Sequence, residues 1–171
     1  GNFIDTADVY SAWVPGNTGG DSERVIGEWL SARGNRSDVI IATKVAKWPV
    51  HPGLSPDNIR AAVEDSLRNL QTDYIDVYYA HEDDPSVPMV ETLAAFDELV
   101  RSGKVRCIAA SNFTADRLLE ALAVSADNGF TSYVAIQNEY NLMERAGYED
   151  AFAAIVLEHG LASLPYYSLA R

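Results

Sequence analysis

Six short, almost uninterrupted apolar runs mark the 171-residue chain, and they restrict its fold more than any other feature. They are Asn2–Ala7, Val39–Val45, Tyr74–Ala80, Val105–Ser111, Val134–Tyr140 and Leu161–Leu169. Runs of this length with little polar alternation match strands covered on both faces, the condition of a parallel sheet. Amphipathic stretches separate them. Asp21–Ala32 opens on Asp21-Ser22-Glu23 and stops near Gly34. Ser55–Leu70 has Ser55 as N-cap and Pro56 in its first turn, with Ile59, Val63, Leu67 and Leu70 at helical spacing. Pro88–Arg101 ends at Gly103, Thr114–Ser125 begins on a capping Thr114, and Ala146–Glu158 ends at Gly160. Strand and helix therefore alternate throughout, at the spacing of one βα unit, which predicts a parallel sheet with right-handed crossovers.

An open doubly wound sheet and a closed barrel both satisfy that order. A doubly wound dinucleotide binder carries Gly-x-Gly-x-x-Gly after its first strand, and the chain has no such motif there. Polar residues instead end several different strands: Asp5, Lys44, His81, Ser111-Asn112 and Gln137-Asn138. Barrels assemble their sites at that C-terminal face. The expectation is a (β/α)8 TIM barrel, incomplete at about six strands and five helices, since closure takes eight strands and about 250 residues. Residues 1–171 are read as one such domain, truncated at both ends.

The formal net charge is −12, from 13 basic and 25 acidic residues. That argues against nucleic-acid and acidic-membrane partners, both polyanions. A small anionic ligand stays compatible, because it needs only a few local basic side chains. A single Cys107 precludes an internal disulfide and fits a reducing compartment; its apolar run predicts a buried, inert thiol. Neither a long apolar span nor a basic leader is visible, so the expected location is cytoplasmic. The Gly-rich stretch Ser11–Gly20 is the longest irregular segment and a candidate functional loop.

Taken singly, each strand-end residue has an ordinary reading. Lys44 snorkels to water, His81 is structural, Asp5 caps a loop, Tyr10 packs on it, and Ser111-Asn112 cap the next helix. Their collective placement changes the weighing. Asp5-Thr6-Ala7-Asp8-Val9-Tyr10 resembles the aspartate-threonine-alanine-x-x-tyrosine motif of the aldo-keto reductases. The strands ending in Lys44 and His81, the pairs Ser111-Asn112 and Gln137-Asn138, and the late Tyr166-Tyr167-Ser168-Leu169 follow in that family's order along the whole chain.

The resemblance implies an NAD(P)H-dependent oxidoreductase that reduces aldehydes or ketones to alcohols. Its catalytic tetrad is Asp5, Tyr10, Lys44 and His81. A carbonyl that receives hydride becomes an alkoxide and needs a proton, and an ammonium beside a phenol stabilises the phenolate that proton donation leaves behind. Tyr10 is then the general acid, Asp5 holds Lys44, and His81 orients the substrate oxygen. By position, Ser111, Asn112 and Gln137 resemble the residues that bind the nicotinamide carboxamide. Tyr167 resembles the ring that stacks on the nicotinamide, and Ser168 the start of the pyrophosphate loop. Trp13 and Trp48, in loops after the first two strands, either line a substrate pocket for a small carbonyl compound or simply pack their loops.

The family pattern has a further βα unit before Gly1 and more than one after Arg171. The later part includes the basic loop that grips the 2′-phosphate. NADPH is therefore the expected cofactor on family precedent, with NADH not excluded. An alternative from the same family is a cofactor-binding regulatory subunit similar to potassium-channel β-subunits. A metal-dependent isomerase or aldolase barrel is poorly supplied by three histidines, at 51, 81 and 159, and no metal site is expected.

Overall fold

A computed structural model of the chain describes residues 1–170. In chain order its elements are β1 (Phe3–Asp5), α1 (Asp21–Arg33), a 3₁₀ turn (Arg36–Asp38), β2 (Ile40–Val45), β3 (Lys47–Trp48), β4 (His51–Pro52), α2 (Pro56–Leu70), β5 (Ile75–Ala80), α3 (Met89–Arg101), β6 (Val105–Ser111), α4 (Ala115–Asn128), β7 (Tyr133–Gln137), α5 (Ala146–Glu149), α6 (Ala153–Glu158) and β8 (Ala162–Ser163). Six strands pair in the order β1-β2-β5-β6-β7-β8, every neighbouring pair parallel. The sheet curls: the Gln137 side chain at the end of β7 reaches Asp5 at the end of β1, Nε2 donating to Oδ2 over 2.8 Å. The result is the incomplete (β/α)8 barrel expected from the polar residues at the strand ends.

Helix ends follow local chemistry. Ser55 accepts from the Asn58 N–H and Thr114 from the Arg117 N–H, each satisfying one orphan donor of its first turn. Gly34 and Gly129 close α1 and α4 in the left-handed conformation. The path of α1 depends on a glycine too: a β-carbon on Gly27 would overlap the backbone of Asn69 and Leu70 at the end of α2.

Side-chain alternation divides the sheet into two faces. Ile41, Tyr78, Ala80, Ile108, Ala110 and Ile136 point outward, into the main core beneath the helices. Tyr78, Phe96 and Tyr133 meet there edge to face, with centroids 5.8 and 6.4 Å apart along the chain of contacts. Burial of the Phe96 ring stabilises by about 1.5–3 kcal/mol. Ala42, Tyr79, Ala109 and Ala135 form a thinner inner layer. Parallel register keeps paired residues on one face, so Asp5 opposite Ala42, Lys44 opposite Tyr79 and Ser111 opposite Gln137 all belong to the inner face.

Four expectations are corrected. The stretch Ala146–Glu158 is not one helix but α5 and α6. The chain stays near helical geometry through Asp150 and Phe152, and Phe152 N–H still bonds to the Tyr148 carbonyl at 2.8 Å, so the interruption is a local distortion of one amphipathic segment. The last strand covers only Ala162–Ser163 rather than Leu161–Leu169: the Leu164 and Tyr166 N–H groups still bond to the Ile136 and Asn138 carbonyls and a bridge joins Glu139 to Tyr166, but Pro165 has no N–H to give the ladder and the chain leaves it at Tyr167, φ 53°. The loop after β2 contains a small antiparallel hairpin, β3–β4, that no apolar run announces. Cys107 is half-buried rather than enclosed, since it faces the thin inner layer beside Val77.

Candidate active site

The tetrad residues converge where their strands end. Lys44 is completely buried, and its ammonium spends all three hydrogens on the site: Asp5 Oδ1 at 2.5 Å, the Thr6 carbonyl at 2.8 Å and Tyr10 Oη at 3.1 Å. A buried ammonium is costly unless paired and bonded in this way. Since Lys44 has no lone pair to offer, the Tyr10 hydroxyl hydrogen must point elsewhere. Tyr10 lines a cleft of about 410 Å³, which gives that hydrogen a destination. His81 lines the same cleft, its ring edge-on to Tyr10 with centroids 5.8 Å apart. The Nδ1 of His81 is buried with no protein partner.

The histidine is neutral across the ordinary pH range. Burial pushes its pKa down to about 3, and the cations Lys44 and Lys47 push the same way. The neighbouring acidic run 82–84, a plausible source of the opposite shift, does not reverse this. Asp83 is engaged by Arg117 through two bonds of 2.6 and 2.9 Å, and Asp84 accepts from the Leu54 N–H at 2.9 Å.

Four of the five candidate cofactor residues, Ser111, Asn112, Gln137 and Tyr167, line the same cleft. Ser111 Oγ donates to the Gln137 carbonyl at 2.8 Å. Asn112, in left-handed geometry at φ 55°, donates to the His81 carbonyl at 2.8 Å and accepts from Tyr166 Oη at 2.9 Å. Gln137 bridges to Asp5, as above. Tyr167 lines the cleft with a half-exposed ring, edge-on to Tyr166. Ser168 lies off the cleft, its hydroxyl donating to the Pro165 carbonyl at 3.3 Å.

The two tryptophans separate. Trp13 sits on the cleft, exposed and edge-on to Tyr10 at 6.2 Å. Trp48 does not line it. Its indole N–H donates to the Thr18 carbonyl at 2.8 Å, its ring covers Gly19 and it meets His51 edge-on at 5.2 Å. Strand alternation explains the difference: in the β3–β4 hairpin Trp48 and Lys47 face opposite ways, and Lys47 takes the cleft side. Lys47, Glu139 and Tyr166 are cleft residues absent from the sequence-based set. Tyr166 adjoins a residue already singled out, so adjacency was the available signal; for Lys47 it was the parity of a strand too short to see.

Behind the tetrad lies a second polar cluster. Glu23 is fully buried, bonded by Thr43 Oγ1 at 2.7 Å and Asn69 Nδ2 at 3.1 Å. Asp8 is buried nearby with neither carboxyl oxygen partnered. Burial first, then repulsion from Glu23, raises Asp8 to about 8, against smaller opposing effects of the Val9 N–H and Lys44. An unfolded aspartate titrates near about 3.9. Between those values the folded chain keeps a proton that the unfolded chain has lost. The stability this contributes is whole below the unfolded pKa and is lost as pH rises through the folded one. Asp8→Asn removes that slope. The expected result is a Tm difference, variant minus unmodified, that grows in favour of the variant from about pH 5 to about pH 9 in thermal melts. A difference independent of pH would contradict the assignment.

Among the described residues, no three His, Cys, Asp or Glu side chains converge as a metal-ligand set, and no helix is long and apolar enough to cross a membrane.

Comparison with known proteins supplies the family. The aldo/keto reductase family model matches residues 1–171. The chain is 34% identical over 193 aligned positions to Protein tas of Escherichia coli, covering 98% of the chain and 56% of that protein. It is 37% identical over 173 positions to Aldo-keto reductase YhdN of Bacillus subtilis, covering 99% of the chain and 48% of that protein. The crystal structure of the thermostable aldo-keto reductase Tm1743 with the inhibitor epalrestat superimposes with a TM-score of 0.79 at 33% identity, over 94% of this chain and 53% of that one. The chain thus spans about half the length of the relatives it matches. With its whole length matched by the family model and its fold shared with a solved relative, the chain belongs to the aldo/keto reductase family.

Proposed function

We propose that the protein containing this chain reduces the carbonyl group of a small aldehyde or ketone, with NADPH as hydride donor and Tyr10 as proton donor. One observation carries the reading: a fully buried Lys44 bridges Asp5 and Tyr10 Oη while the phenol borders the cleft. The bound nicotinamide supplies the hydride. The chain's own residues do the rest. Tyr10 gives its hydroxyl proton to the carbonyl oxygen, and the Lys44 ammonium, already 3.1 Å away, stabilises the phenolate oxygen left behind. Asp5 fixes the ammonium, and Gln137 fixes Asp5. His81, neutral at working pH, positions the carbonyl oxygen as a hydrogen-bonding group rather than as a cation.

The cleft's chemistry suits a nicotinamide. Ser111, Asn112 and Gln137 offer a hydroxyl and two amides beside the flat ring of Tyr167. Family precedent favours NADPH over NADH, and the net charge of −12 disfavours nucleic-acid and acidic-membrane partners. The test is consumption of NADPH or NADH, followed at about 340 nm, by the intact protein against a panel of aldehydes and ketones. Turnover with at least one carbonyl class is expected. Cofactor binding with no turnover across the panel would instead support a regulatory subunit.

A further inference from the structure

We propose that Lys47 makes the cleft a reader of carboxylate-bearing carbonyl substrates, with Glu82 as the counterion that the substrate displaces. The inference rests on the reductase reading above and names the substrate class for that site.

Among the described residues lining the cleft, Lys47 is the one cation, because Lys44 is committed to its three partners and His81 is neutral. The hairpin sets its direction. Trp48 anchors β3 through the Thr18 carbonyl, so the adjacent Lys47 is turned the other way, toward Tyr10, Trp13 and His81. The ammonium's partner is Glu82, 3.3 Å away, the residue directly after His81. Both ends of this pair meet solvent, with side chains 35% and 48% exposed. Such pairs hold weakly, since water screens them and two flexible side chains must be ordered. Its two neighbours in the acidic run are tied down elsewhere, Asp83 by Arg117 and Asp84 by the Leu54 N–H and Ser86, whereas Glu82 is paired with Lys47. A substrate carboxylate can thus take the place of Glu82 on Lys47.

Polarity across the cleft supports the same orientation. Its anionic lining residue, Glu139, follows β7, whereas Lys47 follows β2, and β5 and β6 lie between those strands. An anionic group is repelled from one side and drawn to the other, leaving the carbonyl to the tetrad. The strongly negative surface does not prevent this, because salt limits the reach of distant charges to about 10 Å while the Lys47 contact is direct.

The experiment compares kcat/KM of the intact protein for para-carboxybenzaldehyde and para-tolualdehyde, which differ at the ring position remote from the aldehyde. The unmodified protein is expected to favour the carboxylate. Lys47→Met should lower that ratio at least tenfold, mainly through KM for the acid, and Lys47→Arg should restore most of it. Glu82→Gln should raise it by removing the competing carboxylate. Raising salt should erode the preference in the unmodified protein but not in Lys47→Met. A ratio that survives Lys47→Met, or one that Glu82→Gln lowers, overturns the inference. Failure of the unmodified protein to reduce either aldehyde, or any other carbonyl, overturns the reductase reading and this inference with it. That result is distinct from turnover with an unchanged ratio.

Discussion

Tyr10→Phe is expected to lower kcat for carbonyl reduction by about 10²–10⁴-fold, the range in which a positioned proton donor contributes. Affinity for the nicotinamide cofactor should stay within a few fold. The phenylalanine keeps the ring that meets Trp13 and His81 edge-on, so the wall of the cleft persists. It removes one atom, the oxygen that accepts from Lys44 and directs its hydrogen into the cleft. Lys44 retains Asp5 and the Thr6 carbonyl but has one buried N–H unsatisfied, at a cost of about 1–3 kcal/mol. A modest fall in Tm is therefore part of the expected result. Single-turnover hydride transfer and cofactor fluorescence separate the two effects. A variant that turns over normally would remove Tyr10 from the reaction.

The alternation of apolar runs and amphipathic stretches was enough to read the layered fold, because strands buried on both faces tolerate few polar residues. It was also enough to place Asp5, Lys44, His81, Ser111 and Gln137 at strand ends. What it left open was which face each would occupy. Parity within a strand depends on register with its neighbour, and that comes from pairing across the sheet. Trp48 shows the consequence. Its position after β2 suited a substrate-pocket role, yet a hairpin two residues deep sends it to Thr18 and hands the cleft to Lys47. Asp8 shows another. In the sequence it is one letter of a motif; its burial beside Glu23 comes from the start of α1 lying against the segment after β1, where Gly20 N–H bonds to the Asp8 carbonyl and Thr6 Oγ1 to Ser22 Oγ. The split of Ala146–Glu158 into α5 and α6 was invisible for a different reason, since its apolar spacing is the same whether or not the hydrogen bonding is continuous.

Lys44→Met should produce two losses that a second substitution pulls apart. The methionine fills a similar volume without charge or donors. Three acceptors lose their partner at once: the Asp5 carboxylate, the Thr6 carbonyl and Tyr10 Oη. Breaking a buried pair by removing one member costs about 3–5 kcal/mol. The lower end applies here, because the Asp5 side chain is 30% exposed and keeps some water as well as the Gln137 amide. Turnover should fall by about 10²–10³-fold or more, since the phenolate oxygen forms with no cation to meet it. Adding Asp5→Asn removes the uncompensated charge. The double variant should recover part of the lost Tm while its kcat stays at the level of Lys44→Met. If the lysine only held the strands together, stability and turnover would return together in the double variant. Separate behaviour ties the buried ammonium to the chemistry at Tyr10 rather than to the integrity of the sheet.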